Sequence, residues 1–338
     1  MATIFNEDYL VCSGSYRDVM NRDVLPALEV QARTSTVPGF DGHPLWCESY
    51  MTDNSFGTVV LVHGFTENAY KYAELIWSLT HLHFSVIAYD QRGHGRSWRA
   101  AGLQDASVTH VDHFSDYVQD LHTVCHTLLK DMPRPWFVFG HSMGGAVVSL
   151  FLEQYPGIFS AAVLSSPMIA PNIGGVPVIF ASALAQGARL LGHGKKHPFF
   201  MKPYSGPEDF ATSCATDPER FAWYDEVKAS RQDFQNSVPS YIWSYESIRV
   251  TKQILAQGRP ERITCPVLLF SAETDSSVLP GPQSELISRI PDGQYVLVRN
   301  ARHEIFRSTN DVLFPWWHRI VTFFRNIADK QPDGGLQS

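Results

Sequence analysis

Seven short runs rich in branched and aromatic residues punctuate this chain, and several have a continuously apolar stretch instead of an alternating one. They read LWCESY (45–50), TVVLVHG (58–64), FSVIAYD (84–90), WFVFG (136–140), AAVLSS (161–166), PVLLFSA (266–272) and QYVLVRN (294–300). A strand with one face in water alternates, whereas a continuously apolar strand is covered on both faces. Helical spacing fills the gaps. Over 111–131 the apolar positions 114, 117, 118, 121, 124, 125, 128 and 129 fall on one helical face. Residues 68–80, 143–155, 282–290 and 311–328 are further helix candidates. Strands alternating with helices predict an α/β fold: a mostly parallel sheet with helices on both faces. The turn GFDGHP at 39–44 predicts an antiparallel pair at one edge.

The alternation fails between Met168 and Arg262. These roughly 95 residues hold no convincing strand, several prolines and aromatic clusters such as WYDE and YIWSYES. That is too long for a plain connection. It predicts a helical cap insertion, 168–262, dividing the core into an N-terminal part, 1–167, and a C-terminal part, 263–338. A chain of 338 residues accommodates one large domain with such an insertion.

Charge and cysteine usage narrow the function classes. The net charge of −7 gives no reason to expect a nucleic-acid partner. The cap, with 11 Lys/Arg against 9 Asp/Glu, is slightly basic and weakly favours an anionic membrane surface. Five scattered cysteines without CxxC spacing predict neither a disulfide framework nor a zinc site. His122 and His126 share a helix face, but with no HExxH and no third ligand a solvated face is expected, and no metal or cofactor. The N-terminus lacks a basic segment followed by an apolar run, so no signal peptide is expected. The stretch 174–192 contains Pro177 and Arg189 and falls short of a membrane span. The expectation is a soluble cytoplasmic protein with reduced thiols.

Chemistry enters at Gly140-His-Ser-Met-Gly144, where a strand meets a helix. In G-x-S-x-G the small residues Gly140 and Gly144 permit a sharp, strained turn that lifts the hydroxyl of Ser142 out of the sheet edge. Backbone N–H groups at the helix N-terminus then lie beside it. A serine hydroxyl needs a base, and the base an orienting acid. In this type of sheet the order is Ser, then Asp or Glu, then His, each after a strand. Strand 266–271 runs into AETDSSV and strand 294–299 into NARHEIF, which places Asp275 and His303 beyond the last two strands, where open α/β sheets bind ligands. Glu273 competes for the acid role, and Asp275 is preferred. His141 is expected to pack, not to act as a base. For an oxyanion hole, one donor is the Met143 N–H. The other is Phe65 N–H in His63-Gly64-Phe65, with Gly64 expected to supply an unusual backbone.

The strings HGF, YDQRGHGRS (89–97), FSDYVQDL (114–121), GHSMGGA (140–146) and RHEIF (302–306) resemble the α/β-hydrolase superfamily, in the branch of bacterial L2-type lysophospholipases and monoacylglycerol lipases. The likeness spans about 40 to 325 and is weakest in the cap. It implies Ser142 as nucleophile, Asp275 as acid, His303 as base, and a cap over an acyl-chain pocket. The small residue of the family's G-x-x-D is Ala272 here. Asp90 is implied to be structural. Ser142 at the elbow separates the chain from dehalogenases and epoxide hydrolases, which carry Asp there, and GHSMGG differs from the pattern of proline-specific aminopeptidases. The implied partner is a small lipid with one acyl chain, with peripheral contact at the inner face of a membrane as an accompanying expectation. Oligomeric state is left open. Val176, Val178, Ile179, Phe180, Leu184, Leu190 and Leu191 could form an apolar entrance, though most are expected to pack the cap onto the core. The alternatives are a monoacylglycerol lipase, a small-ester carboxylesterase or acyltransferase, and, in another class, a dead hydrolase fold used for binding.

Overall fold

A computed structural model describes residues 5–175 and 177–330. Eight strands make the main sheet: β1 (Arg33–Pro38), β2 (Pro44–Tyr50), β3 (Thr58–Val62), β4 (Ser85–Tyr89), β5 (Trp136–His141), β6 (Ala161–Ser165), β7 (Val267–Ala272) and β8 (Gly293–Val298). Their spatial order is β1-β2-β4-β3-β5-β6-β7-β8. From β4 to β8 every pairing is parallel, while β2 is antiparallel to both β1 and β4. The predicted α/β architecture and its antiparallel edge are therefore present.

The continuous apolar runs are explained by two cores, one on each face. Val59 and Leu61, Phe137 and Phe139, and Leu268 and Phe270 point to one side. Val60 and Val62, Val138, and Val267 and Leu269 point to the other. Because side chains alternate along a strand, a strand covered twice must be apolar throughout. The first core is closed by α1 (Ala73–His81) and, through Trp316, Trp317 and Phe324, by the last helix. The second is closed by α2 (Ser115–Leu128) and α3 (Met143–Gln154), with Leu121, Val147 and Phe151 buried.

Between β6 and β7 the chain forms α4 (Val178–Leu190), α5 (Pro218–Ser230) and α6 (Tyr241–Ile254). Asp217 caps α5, accepting the N–H groups of Glu219 and Arg220 at 2.9 Å each, and Ser240 caps α6 through Trp243 N–H at 3.0 Å. After β7 come α7 (Pro280–Arg289) and, after β8, α8 (Asn310–Ala328). No described helix is long and apolar enough to cross a membrane.

Two expectations need correction. The helix expected from 111 begins at Ser115, because the preceding residues are claimed by the segment between β6 and β7. Val108–Thr109 pairs in parallel with the two-residue strand Val238–Pro239, His110 Nδ1 lies 2.8 Å from Ser240 Oγ, and Phe114 N–H donates to the Glu246 carboxylate at 3.1 Å. Nor do the apolar residues of α4 pack the cap onto the core. Only Ala185 of that helix is buried, and Val178, Ile179, Phe180, Leu184, Leu190 and Leu191 are all exposed. Val176 lies outside the described residues.

Candidate active site

Ser142 sits between β5 and α3 with φ +50° and ψ −119°, a conformation of the left-handed half of the map that costs a side-chain-bearing residue about 1–3 kcal/mol. Hydrogen bonds on both sides hold it. Its N–H donates to Ser165 O at 3.1 Å, and its carbonyl accepts from Met168 N–H at 2.8 Å and Ala146 N–H at 3.2 Å. The flanking glycines are needed for space. A Cβ on Gly144 would overlap the carbonyls of Val62 and His63, and one on Gly140 would meet Gly144 O. The turn thus presses β5, β3 and α3 together and aims the hydroxyl at the sheet's C-terminal edge.

The structure brings Ser142, His303 and Asp275 together from three loops. Ser142 Oγ lies 2.8 Å from His303 Nε2, and His303 Nδ1 lies 2.7 Å from Asp275 Oδ2. With the carboxylate accepting at Nδ1, the proton sits there and Nε2 is free to accept from the serine. Burial works to raise the Asp275 carboxyl, but the hydrogen bond and charge of His303, with the N–H groups of Ser277 and Val278, outweigh it and hold it below its ordinary value. Glu273, the competing acid, is exposed and accepts Asn300 N–H at 2.9 Å instead. His141 packs 4.9 Å from the His303 ring, and burial pushes it down to about 4, so it stands neutral. His122 stacks on Tyr155, while His113 and His126 are exposed. Asp90 is fully buried and accepts from Ala69 N–H, Arg96 N–H and Arg96 Nε, tying the loop after β4 back to the turn that leads into α1.

The His63-Gly64-Phe65 loop lies against the elbow. His63 Nε2 accepts Gln91 N–H at 2.9 Å, which leaves the proton on Nδ1 to donate to Gly64 O at 2.8 Å. Gly64 is required for closeness and not for unusual backbone: a Cβ there would approach Ser142, His141 and Glu67, and the left-handed residue is Thr66, at φ +63°. The Phe65 ring lies on Trp243 of α6, centroids 4.1 Å apart. Among the described residues, neither Phe65 N–H nor Met143 N–H donates to a protein acceptor.

Beneath this loop runs a buried ionic chain that the sequence did not single out. Glu67 accepts Gly64 N–H at 2.6 Å, the Tyr72 hydroxyl at 2.6 Å and the Lys71 ammonium at 3.0 Å. Lys71 also donates to Glu304 at 2.6 Å, and Glu304 accepts Arg307 Nη1 at 2.6 Å. Burial works to raise both carboxyls, yet the Lys71 charge, joined by the Tyr72 hydroxyl at Glu67 and by the Arg307 charge at Glu304, outweighs it and holds each below its ordinary range. Lys71 thereby bridges the loop carrying Phe65 and the loop carrying His303. The i,i+4 spacing of Glu67 and Lys71 was visible in the sequence, but such pairs usually lie on solvated faces. Lys71→Met is expected to destabilise the fold by about 3–5 kcal/mol, since it leaves the buried Glu67 carboxylate without its cation and Glu304 with Arg307 alone. Urea unfolding measures this, and a double-mutant cycle with Glu304→Gln should recover part of the loss.

A parallel sheet in this strand order, with a strained serine after β5 and a histidine and a carboxylate after β8 and β7, defines the chain as an α/β-hydrolase. Residues 53–310 match the model of the serine aminopeptidase family S33. The chain belongs to that family. It is 31% identical over 303 residues to lysophospholipase L2 of Escherichia coli K12, covering 85% of each protein. It is 29% identical over 264 residues to a monoacylglycerol lipase of Mycolicibacterium smegmatis, covering 76% of this chain and 84% of that one. Among solved structures it resembles a monoacylglycerol lipase of Paleococcus ferrophilus with TM-score 0.66 at 24% identity, over 84% of this chain and 99% of that one; at such identity the likeness speaks for the fold. Although the family is named for peptidases, these relatives place the chain among carboxylic ester hydrolases.

Proposed function

We propose that Ser142, His303 and Asp275 form the catalytic triad of a hydrolase acting on monoacyl lipids, with a lysophospholipid as substrate and a fatty acid and a glycerophospho-alcohol as products. The observation that carries this is the hydrogen-bonded chain from Ser142 Oγ through the His303 ring to Asp275 Oδ2, in a protein similar along 85% of its length to a lysophospholipase L2.

His303 Nε2 takes the Ser142 proton as Oγ adds to the ester carbonyl carbon. The oxyanion accepts the N–H groups of Phe65 and Met143, which have no competing protein acceptor among the described residues. Asp275 holds the Nδ1–H tautomer and stabilises the imidazolium. His303 then protonates the departing alkoxide, leaving an acyl-Ser142. Water attacks this ester, giving a proton to His303, and the fatty acid departs as the serine is reprotonated. Residues 168–262 act as the cap in this proposal, and the contact of Trp243 with Phe65 sets part of that segment directly beside the oxyanion loop. A cytoplasmic location with peripheral contact at the inner face of a membrane belongs to the same proposal.

Monoacylglycerol hydrolysis is the second reading, favoured by the M. smegmatis relative. Fatty-acid release from lysophosphatidylcholine, monoolein and short p-nitrophenyl esters, measured side by side, ranks the two. The expected order places lysophosphatidylcholine first. A higher kcat/KM on monoolein selects the second reading, and activity confined to the water-soluble esters defeats both.

A further inference from the structure

The Phe65 ring is gripped from two sides. Trp243, in the first turn of α6, lies against it with centroids 4.1 Å apart and planes tilted by 34°. The His94 ring meets it edge-on at 6.1 Å. Neither neighbour is loose, since Trp243 is 6% exposed and His94 is fully buried. Phe65 itself is only partly buried, so this grip is what fixes its side chain.

Trp243 makes a firm anchor because the start of α6 is tied to the core. Its indole Nε1–H donates to the Tyr117 hydroxyl of α2 at 3.1 Å, and Tyr117 is fully buried. Ser240 caps the helix through Trp243 N–H, donates its own N–H to Thr109 O at 2.8 Å, and lies 2.8 Å from His110 Nδ1. One turn on, Glu246 accepts Phe114 N–H at 3.1 Å.

The grip bears on the one backbone group the oxyanion loop contributes. In a planar trans peptide the C=O and the following N–H point in opposite directions. The Gly64 carbonyl accepts His63 Nδ1–H at 2.8 Å, so Phe65 N–H faces away from His63. That bond sets the direction of the donor, and its distance from Ser142 is left to the Phe65 Cα. The backbone of Phe65 makes no hydrogen bond of its own among the described residues. The next residue, Thr66, stands at φ +63°, a strained conformation for a β-branched side chain, so the loop does not hold this shape unaided. A side chain clamped at its far end supplies the missing restraint.

We propose that Trp243 is a positioning residue for the hydrolysis: through the Phe65 ring it holds Phe65 N–H where the oxyanion forms. The segment between β6 and β7 then governs the chemical step itself, and not substrate entry alone. This rests on the triad and oxyanion reading given above. Trp243 acts only through Phe65, and every residue but proline at position 65 keeps the N–H. Loss of the grip therefore costs the aim of the donor and not the donor. An error of about 1 Å in such a placement costs about 100-fold in rate, and outright loss of an oxyanion donor about 100- to 1,000-fold.

Steady-state hydrolysis of p-nitrophenyl acetate by the full chain tests it, because so short an acyl group needs little from an apolar lining. Trp243→Ala and Phe65→Ala should each lower kcat about 10- to 100-fold, with KM within about twofold of wild type. The double variant should fall no more than about threefold below the poorer single one, since both changes release the same ring. Trp243→Phe keeps a ring against Phe65 and should restore kcat to within about threefold of wild type. A trifluoromethyl ketone reports the donor directly: Ser142 Oγ adds to its carbonyl carbon, the proton passes to His303, and an oxyanion is left. Its affinity should fall by the same factor as kcat/KM. Urea unfolding checks the fold, and Trp243→Leu, which keeps most of the buried volume, repeats the test if Trp243→Ala is unstable. A raised KM at unchanged kcat makes Trp243 a wall of the acyl pocket, and independent losses in the double variant make it packing alone; either overturns the proposal. Wild type that takes up a fluorophosphonate and cleaves the ester, beside a Trp243→Ala variant of undiminished kcat, removes the positioning role only. Wild type inert to both removes the hydrolase reading beneath it.

Discussion

Ser142→Ala is expected to lower kcat for ester hydrolysis about 10⁶-fold and to abolish covalent labelling by a fluorophosphonate probe, with the fold intact. The magnitude follows from what the hydroxyl does. Without Oγ no acyl-enzyme forms, and His303 and Asp275 have no nucleophile to activate; residual catalysis then comes only from binding and the oxyanion donors. Stability should hold or rise slightly, since the hydroxymethyl side chain of a buried serine becomes a methyl, and Ala at φ +50° carries much the same backbone cost as Ser. Circular dichroism and the urea midpoint verify the fold, while gel labelling and fatty-acid release report the chemistry. Wild-type protein that takes up no probe would leave only the alternative of a hydrolase fold used for binding.

The second large effect separates two acids that lie two residues apart. Asp275→Asn should cost about 10⁴-fold in kcat, whereas Glu273→Gln should leave kcat within about twofold. Asp275 accepts His303 Nδ1–H at 2.7 Å, and an Asn there can present its amide NH₂, which favours the tautomer with the proton on Nε2, where it blocks acceptance from Ser142. Glu273 is exposed and its carboxylate is occupied with Asn300 N–H. The Asp275 variant should also change stability against pH. The folded carboxyl is held below its unfolded value, so its contribution is present above the unfolded value and lost as pH falls through the folded one. Asp275→Asn removes that part of the acid-side decline. Comparable losses in both variants would return the acid assignment to an open state.

Much of this was legible in the chain because the signals are local. Each strand covered on both faces must be apolar throughout, so TVVLV and VLLF announced a doubly covered sheet. The elbow, the acid and the base each follow a strand within a few residues, so their order along the chain repeats their order along the sheet edge. The 111–131 helix was legible in type but not in its start, because Phe114 N–H is claimed by Glu246, 132 residues away. Helix α4 misled for a related reason. Apolar composition says that a face tends to be covered, not by what, and here no coverage comes from the described residues.

What the sequence by itself determined was the sheet, its layering and which serine, acid and histidine stand at its edge. Those properties follow from periodicities of two and 3.6 residues and from turns only a few residues long. What the tertiary structure alone decided was how the loops support one another: Gly64 as the place where Ser142 and Glu67 come close, Lys71 as the bridge from Glu67 to Glu304, and Trp243 against Phe65. A buried charge and a surface charge are written with the same residue. Only the fold says whether water is excluded, and with it whether Lys71 is one more solvated cation or the tie between the loops that carry Phe65 and His303.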